Sequence, residues 1–365
     1  MAVGLVLLHH TAAILIPEEA GRSFTGGFLG VDLFFVLSGF LITTLLLERR
    51  ERHEARPLRS FYARRALRLL PAVAVFLVGN LLVAVLEAEG VDRALDSFIV
   101  VFTYTTNWAL LYHFGNLSVD VSHLWSLAIE EQFYAVWPLF LLGTLAAGLT
   151  RRRMAWLCIA LALAAAVWRA ALYQGGESWL VIYIRTDARA DSLLIGAALA
   201  LFRPDFALAR VRPLVRSATG VIALLLFVGA AVRVEPDSAG LYNGGYTIVA
   251  LLAAILITVE LAGPWIAHGV LTSRPMVYAG RLSYSLYLWH FLVFRVVDRH
   301  IAESATVLRL ALGWGLTVAV SAASFRLVER PVLRVKDRIG HRSVRAAERQ
   351  HDPASPSGAY PATRP

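Results

Sequence analysis

Long apolar runs alternate along the chain with short polar stretches that are rich in arginine. A transmembrane helix needs about 20 consecutive, mostly apolar residues. Ten runs come near this length, and each is bounded by charged or turn-forming residues. They lie near residues 1–16, 28–47, 69–87, 132–149, 154–173, 186–202, 217–232, 245–262, 280–297 and 306–327. The pattern predicts an all-α fold, a polytopic integral membrane helix bundle of about ten transmembrane helices.

Composition supports this class of protein. Of the 365 residues, 58% are hydrophobic and 17% are charged, and the mean hydropathy is +0.61. A soluble domain of this size carries far more charge on its surface. The single cysteine, Cys158, lies within an apolar run, which excludes an intrachain disulfide and a zinc cluster of cysteines.

The placement of basic residues predicts the orientation in the membrane. The formal net charge of +9 would suggest nucleic acid as a partner of a soluble protein. However, most of the Lys and Arg residues lie on connections that, with ten spans, share one side with both termini. These connections are 49–68, 151–153, 203–216, 274–281 and 326–364. The positive-inside rule therefore predicts a multi-pass protein of the cell membrane with both termini cytoplasmic and no nucleic-acid partner.

Three further segments need a decision before the spans are counted. Residues 97–112 are apolar but short, and an eleventh span there would move the later basic loops outside, so we predict an outer interfacial segment. The first run has no basic region or small-residue cleavage site before it, so it is predicted to be a span and not a signal peptide. Residues 335–365 are charged and proline-containing, which predicts a disordered basic cytoplasmic tail after one membrane domain at 1–334.

Ionisable residues inside spans are costly and are therefore candidates for function. His10 would lie about 15 Å into the membrane, near its middle. Arg65 and Arg68 share one face of a helix, and with Arg64 they lie where a basic loop meets a span. Forked guanidinium groups suit a phosphorylated ligand. Anchoring to anionic lipid explains the same spacing and is slightly favoured by it.

Two stripes combine aromatic and polar side chains. Glu130 shares a helical face with Tyr134 and Trp137. An aromatic belt at the membrane surface explains the two aromatic residues, but it does not explain the adjacent carboxylates of Glu130 and Glu131. The second stripe holds Tyr287 and His290, for which a structural role is the simpler interpretation. Small residues within 30–40 indicate close helix packing.

The remaining charged motif and the missing motifs leave the chemistry open. Asp187, Arg189 and Asp191 begin a predicted span, where internal ion pairing is the simplest interpretation. The sequence has no phosphate-binding glycine loop, no HExxH, no nucleophile elbow and no metal-ligand motif. Histidine, carboxylates and arginines inside a bundle permit base-assisted group transfer and equally a proton-coupled transporter.

Seven strings, in order along the chain, resemble the acyltransferase-3 family of bacterial membrane O-acyltransferases, which includes lipopolysaccharide and peptidoglycan O-acetylases. The ordered set covers residues 7–331 and is far more specific than any one string. The strings are LLHH at 7–10, GVDLFFVLSGFLIT at 30–43, FYARRALRLLP at 61–71, HLWSLAIEEQFYAVWP at 123–138, TDARADSLLIG at 186–196, GRLSYSLYLWH at 280–290 and ERP at 329–331.

The resemblance implies an enzyme that transfers an acyl group, commonly acetyl, from cytoplasmic acyl-CoA. The acceptor would be a hydroxyl of a glycan or of another extracytoplasmic or membrane-associated molecule, as in polysaccharide modification. Acetyl-CoA would be the donor substrate, membrane lipid would surround the protein, and no bound cofactor or metal is implied. The alternative is a transporter or flippase of a glycosylated or acylated lipid, although no inverted repeat relates the two halves.

The same resemblance assigns residues to roles. It makes His10 the general base, with Glu130 orienting the acceptor hydroxyl or the histidine. The phosphates of acyl-CoA would be held by the three arginines of the basic loop, and five residues would support the architecture first and the function second. The arginines are Arg64, Arg65 and Arg68, and the supporting residues are Asp187, Arg189, Asp191, Tyr287 and His290.

The ends of the chain carry two further expectations. The family has a basic residue eleven positions before its histidine, which here would precede Met1. Either the natural start lies farther upstream, which is the expectation, or the protein is impaired. The chain is also expected to resemble the stand-alone members that have no SGNH-type extracytoplasmic domain.

Overall fold

A computed structural model describes residues 1–17, 24–54, 56–88, 90–202 and 210–334. Within these ranges the regular structure is helical throughout, with no strand. The helices are α1 Ala2–His10, α2 Gly30–Glu51, α3 Pro57–Leu86, α4 Val91–Phe102, α5 Thr106–Tyr112, α6 Trp125–Ala146, α7 Arg151–Gln174, α8 Trp179–Ile184, α9 Thr186–Phe202, α10 Pro213–Arg233, α11 Tyr246–Ala262, α12 His268–Leu271, α13 Arg274–His300 and α14 Thr306–Ser324. Short 3₁₀ segments occupy Thr25–Leu29 and Val119–Leu124, and π-helical segments occupy Thr11–Leu15, Leu241–Gly245 and Phe325–Glu329. The predicted tail at 335–365 lies outside the described residues.

Each of the ten predicted spans contains a helix, which confirms an all-α polytopic membrane protein. Six helices of the described residues are long and apolar enough to cross a membrane by length and composition. These are α2, α3, α7, α10, α11 and α14 with their continuations. The other four helices within the predicted spans, α1, α6, α9 and α13, carry most of the polar motifs noted in the sequence.

Two helices begin well before the apolar runs that predicted them. α3 begins at Pro57 instead of near residue 69, and α6 begins at Trp125 instead of near residue 132. The early turns are too polar to be read as membrane sequence, but they are stabilised because Arg65 of α3 pairs with Glu131 of α6. The three candidate acyl-CoA-binding arginines, Arg64, Arg65 and Arg68, therefore lie within α3 and not on a loop before it.

The apolar stretch at 97–112 is not one helix. It is divided between α4 and α5, of 12 and 7 residues, and Tyr104 between them has a left-handed φ of 54°. Neither piece approaches the roughly 20 residues that a span requires. The break agrees with the prediction that this stretch is not an eleventh span.

The backbones of α2 and α9 approach each other closely within the bundle. A Cβ atom on Gly39 would lie 1.9 Å from the carbonyl oxygen of Leu193, and one on Gly196 would lie 2.0 Å from that of Val36. Only glycine permits the two backbones to approach this closely. The packing role predicted for the small residues of α2 is thus visible in the structure.

Four charged residues form an ion-pair cluster beside this contact. Arg189 donates to Asp32 at 2.8 Å, and Arg169 donates to Asp191 at 2.9 Å, with all four side chains 0% exposed. The guanidinium of Arg189 also lies 3.8 Å from the centre of the Tyr246 ring. The cluster ties α9 to α2 and α7.

The third charged residue of the α9 motif pairs elsewhere. Asp187 accepts from Arg185 at 2.7 Å and from the indole of Trp168 at 2.9 Å, at the start of α9. The hydrogen bond from Arg185 to Asp187 raises the pKa of the Arg185 guanidinium above its ordinary value. Each charged residue of the 187–191 motif therefore pairs with a partner outside the motif.

Candidate active site

A cavity of about 460 Å³ lies among α2, α3, α6 and α13. Its wall along α2 runs from Val31 to Arg49. Because a helix rises about 1.5 Å per residue, this wall is about 27 Å long. Arg49 and Arg64 lie together at one end, where both donate to Ser60, and Tyr287 packs on Phe34 near the other end. The cavity is elongated, largely apolar along α2 and basic at one end.

All three arginines that the sequence assigned to acyl-CoA line this cavity, but their surroundings differ. Arg64 donates to Ser60 at 2.7 Å and to Glu54 at 3.3 Å. Arg65 forms an ion pair with Glu131, in which its Nε donates at 2.8 Å.

The side chain of Arg65 is held on a second side as well. Its guanidinium lies 3.4 Å from the centre of the Tyr134 ring. Arg68 is exposed and forms no hydrogen bond within the described part of the chain. Of the three, Arg68 is the one whose donors are not already engaged by the protein.

Glu130 faces the cavity, whereas its neighbour Glu131 faces Arg65. The hydroxyl of Ser38 donates to Glu130 Oε1 at 2.5 Å. Consecutive helical residues point about 100° apart, so the two carboxylates separate into different surroundings. In the described residues no hydrogen bond joins Glu130 to His10, so Glu130 belongs to the cavity side of the site. Ser38 was not selected from the sequence, because it is one small polar residue in an apolar helix.

Three histidines from distant segments form a histidine cluster of His10, His123 and His290. His10 Nδ1 lies 2.9 Å from His290 Nε2. His290 Nδ1 lies 2.8 Å from the carbonyl oxygen of Tyr287, and His123 Nε2 lies 3.1 Å from the same oxygen. The ring centres of His123 and His290 are 5.2 Å apart.

The sequence did not single out His123, although it begins one of the family-like strings. It lies on the 3₁₀ segment Val119–Leu124, and nothing in its spacing relates it to α1 or α13. Its place at the start of the string that also holds Glu130 and Glu131 was the available signal. The structure thus adds a third histidine to the two that were named.

The two neighbouring histidines of α1 have different surroundings. The ring of His9 packs on Phe28 with ring centres 5.6 Å apart, whereas the ring of His10 faces His290 at 5.0 Å. The α-helix changes to a π-helix directly after His10, and Thr11 donates its hydroxyl back to the Leu7 carbonyl at 2.7 Å. Such π segments are frequent at functional sites.

Tyr287 separates the histidine cluster from the cavity. Its side chain lines the cavity, whereas His10 and His290 do not. Its hydroxyl donates to the His123 carbonyl at 2.6 Å and lies 2.6 Å from Ser126 Oγ. The ring centres of Tyr287 and His290 are 5.6 Å apart. Tyr287 is therefore the shared wall between the two parts of the site.

The described residues contain no group of three or more His, Cys, Asp or Glu side chains arranged to hold a metal ion. What the arrangement offers is an imidazole base, a half-buried carboxylate and guanidinium groups. These groups suit proton transfer and the binding of an anionic substrate.

The fold and the site together define a polytopic helical membrane protein with titratable groups inside its bundle. The chain belongs to the acyltransferase-3 family, whose model, described as "Acyltransferase domain", matches residues 1–326. This agrees with the resemblance that the seven strings carry.

Curated relatives match most of the chain. It is 35% identical over 321 residues to the peptidoglycan O-acetyltransferase OatA of Listeria monocytogenes, covering 84% of this chain and 51% of that protein. It is 34% identical over 322 residues to a putative peptidoglycan O-acetyltransferase of Bacillus subtilis, covering 84% and 50%. It is 32% identical over 330 residues to a putative O-acetyltransferase of Staphylococcus aureus, covering 87% and 54%. The chain therefore spans about half the length of the curated relatives it matches, and no solved structure matches it.

Proposed function

We propose that the protein is a membrane O-acyltransferase that moves an acyl group, first of all acetyl, from cytoplasmic acyl-CoA to a hydroxyl of a glycan or another extracytoplasmic or membrane-associated acceptor. The observation that carries the proposal is the elongated cavity with arginines at one end and the histidine cluster behind Tyr287 at the other. The names of the relatives, peptidoglycan O-acetyltransferases among them, support acetyl as the group and a glycan as the acceptor.

The donor would enter the cavity from its basic end. Acyl-CoA carries phosphates at one end and a thioester at the end of a long flexible arm. Guanidinium groups bind phosphate through paired hydrogen bonds, and Arg68 has its donors available. The apolar wall of α2 would cover the arm, which brings the thioester toward Ser126 and Tyr287.

The reaction requires a base because a hydroxyl is a weak nucleophile at neutral pH. His10 would accept the proton of the acceptor hydroxyl while its oxygen forms the new ester bond to the acyl carbon. The carbon–sulfur bond of the thioester breaks, the CoA thiolate leaves, and the proton held by His10 passes through water to the thiolate. Because Tyr287 lies between the cavity and the histidines, this transfer requires its side chain to move aside. Glu130 would act on the cavity side, near the thioester.

The orientation in the membrane is part of this proposal. The arginines of α3 belong to the side on which most basic residues are concentrated, which the positive-inside rule assigns to the cytoplasm. A cytoplasmic donor then reaches the basic end of the cavity without crossing the membrane. Both termini would be cytoplasmic.

The direct test is the release of CoA from acetyl-CoA by the purified full chain in liposomes, with a thiol reagent as the readout and a peptidoglycan or other glycan fragment as acceptor. We expect CoA release together with ester formation, and loss of both in His10→Ala. A protein that binds acetyl-CoA, releases no CoA with any acceptor and instead moves a labelled glycolipid across the bilayer would be a transporter or flippase, and the proposal would be wrong.

A further inference from the structure

We infer that His290 positions His10 by fixing which of its two ring nitrogens carries the proton. The inference deepens the proposed function and rests on it for its catalytic meaning. It concerns a hydrogen-bonded chain of three groups: the Tyr287 carbonyl, the His290 ring and the His10 ring.

The chain begins at an atom with only one possible role. A carbonyl oxygen accepts hydrogen bonds and cannot donate them. His290 Nδ1 lies 2.8 Å from the Tyr287 carbonyl oxygen and 3.1 Å from that of Leu286. The hydrogen of His290 is therefore on Nδ1, where these carbonyls accept it.

The second step uses the neutrality of the His290 ring. Its side chain is fully buried, and in the described residues no carboxylate contacts any ring of the histidine cluster. A charged imidazolium without a counter-ion in such a place is strongly disfavoured. A neutral imidazole has one N–H, so His290 Nε2 is an acceptor.

The third step transmits this assignment to His10. His10 Nδ1 lies 2.9 Å from His290 Nε2. Since His290 Nε2 accepts, His10 Nδ1 donates, and the hydrogen of His10 is on Nδ1. His10 Nε2 is then left with a free lone pair, and among the described residues no side chain occupies it. His10 is partly exposed whereas His290 is buried, so His10 is the ring of this pair that can meet a substrate.

The consequence is a base prepared in one form. An isolated imidazole exchanges between two tautomers, and only one of them presents Nε2 as a base. His290 acts here as an uncharged analogue of the carboxylate that orients histidine in other acyl-transfer sites. A buried carboxylate would add charge to the middle of the bundle, whereas His290 with the Tyr287 carbonyl does not.

The structure also supplies matched variants. His290→Asn keeps an amide near the Nδ1 position, where it can still donate to the Tyr287 carbonyl, but it is too short to reach His10. His290→Gln places its amide oxygen near the Nε2 position, where it accepts from His10. His123→Gln is the packing control, because His123 is buried, contacts the same carbonyl oxygen and forms no hydrogen bond with His10.

The experiment measures tautomers directly. The full chain is labelled with ¹⁵N-histidine and held in lipid, and the signals of His10 are assigned by their loss in His10→Gln. We expect the wild type, His290→Gln and His123→Gln to show His10 protonated on Nδ1 alone. We expect His290→Asn to show a mixture or the other tautomer. An unchanged His10 tautomer in His290→Asn, or a cationic His290 in the wild type, would overturn the inference.

Acetyl transfer by the same variants distinguishes this inference from the proposed function. His290→Asn should lower kcat at least tenfold with little change in the KM for acetyl-CoA, and His290→Gln should recover most of the loss. If the tautomer shifts as expected but neither His10→Ala nor His290→Asn affects transfer, the structural inference holds and the proposed function fails. If His10→Ala abolishes transfer while His290→Asn leaves the tautomer unchanged, the function holds and the inference fails.

Discussion

The ion-pair cluster and the histidine cluster are both buried polar groups in one helix bundle, yet they are built in opposite ways. The ion-pair cluster joins full charges of opposite sign whose side chains are 0% exposed. The histidine cluster joins uncharged rings through a chain of hydrogen bonds that ends at the partly exposed His10. The first has every charge opposed by another, whereas the second leaves Nε2 of His10 without a partner among the described residues.

This difference separates architecture from chemistry. Buried opposite charges are difficult to separate, because removing one leaves the other uncompensated in a medium of low dielectric constant. They hold α2, α7 and α9 in register. The imidazole of His10 is partly exposed, unlike that of His290, so it is the ring of the cluster that suits the uptake and release of a proton.

The largest expected effect is on the histidine side. His10→Ala should lower acyl transfer by about 10²–10⁴-fold, the usual contribution of a general base. The protein should still insert, because the ring of His10 makes no ion pair in the described structure. The readout is acetyl transfer by equal amounts of purified protein.

His9→Ala is the matched control for that variant. His9 is the neighbour of His10 in the chain, but its ring packs on Phe28. The His9→Ala variant should therefore keep much more acyl-transfer activity than His10→Ala. Near-normal transfer by His10→Ala in an active background would contradict the assignment. If His9→Ala were the inactive variant, the base would be His9.

The second effect is on the ion-pair side and on stability. Arg189→Ala leaves the Asp32 carboxylate buried without its partner and should lower the free energy of unfolding by roughly 3–5 kcal/mol. Thermal unfolding in mild detergent and the yield of folded protein are the measurements.

Asp187→Asn is the control for a charge pair at the end of the same helix. Its partner Arg185 is partly exposed, and such pairs contribute about 0–1 kcal/mol. An Arg189→Ala protein as stable as Asp187→Asn would show that the ion-pair cluster is not what holds the bundle together.

A smaller effect is expected at the basic end of the cavity. One arginine there is held in an ion pair, as in the ion-pair cluster, and another has its donors available, as His10 has its Nε2. Arg68→Lys keeps the charge but loses the forked geometry, and it should weaken acetyl-CoA binding about tenfold. Arg65→Lys should mainly lower stability, because Arg65 is already held by Glu131 and Tyr134. Isothermal titration with acetyl-CoA and a thermal unfolding curve on each variant separate the two. Equal affinity in Arg68→Lys would leave this arginine with a role at the lipid surface only.

The last prediction concerns membrane topology and not activity. It tests on which side of the membrane the loops around the two clusters lie. Reporters fused after Arg153 and after Arg216 should read cytoplasmic, and a reporter near Gly115 should read outside. A cytoplasmic signal at Gly115 would mean that the number of spans before it is wrong.

Much of the fold was predictable because the length and hydropathy of one apolar run are enough to indicate a membrane helix. Each of the ten apolar runs contains a helix, and the short stretch at 97–112, predicted not to be a span, forms no helix of span length. The helix starts were less predictable where polar side chains find partners on another helix. Arg65 and Glu131 are the clearest case, since their ion pair lets α3 and α6 begin earlier than their apolar runs.

The candidate site was predictable only in part. The three arginines and Glu130 were named from strings and spacing, and they do line one cavity. His10 and His290 were named in separate strings, and nothing in the sequence indicated that their rings meet. His123 and Ser38 were missed because neither stands out from its own segment.

By itself, the sequence determined where the ten apolar helices lie, and it predicts the side of the membrane that its arginines favour. These properties follow from length, hydropathy and spacing within about two turns of one helix. Only the tertiary structure decided the partners: Arg189 meets Asp32 across 157 positions, and His10 meets His290 across 280. The physical reason is that helix periodicity fixes neighbours on the same helix, whereas contacts between helices depend on close approaches such as that at Gly39 and Gly196.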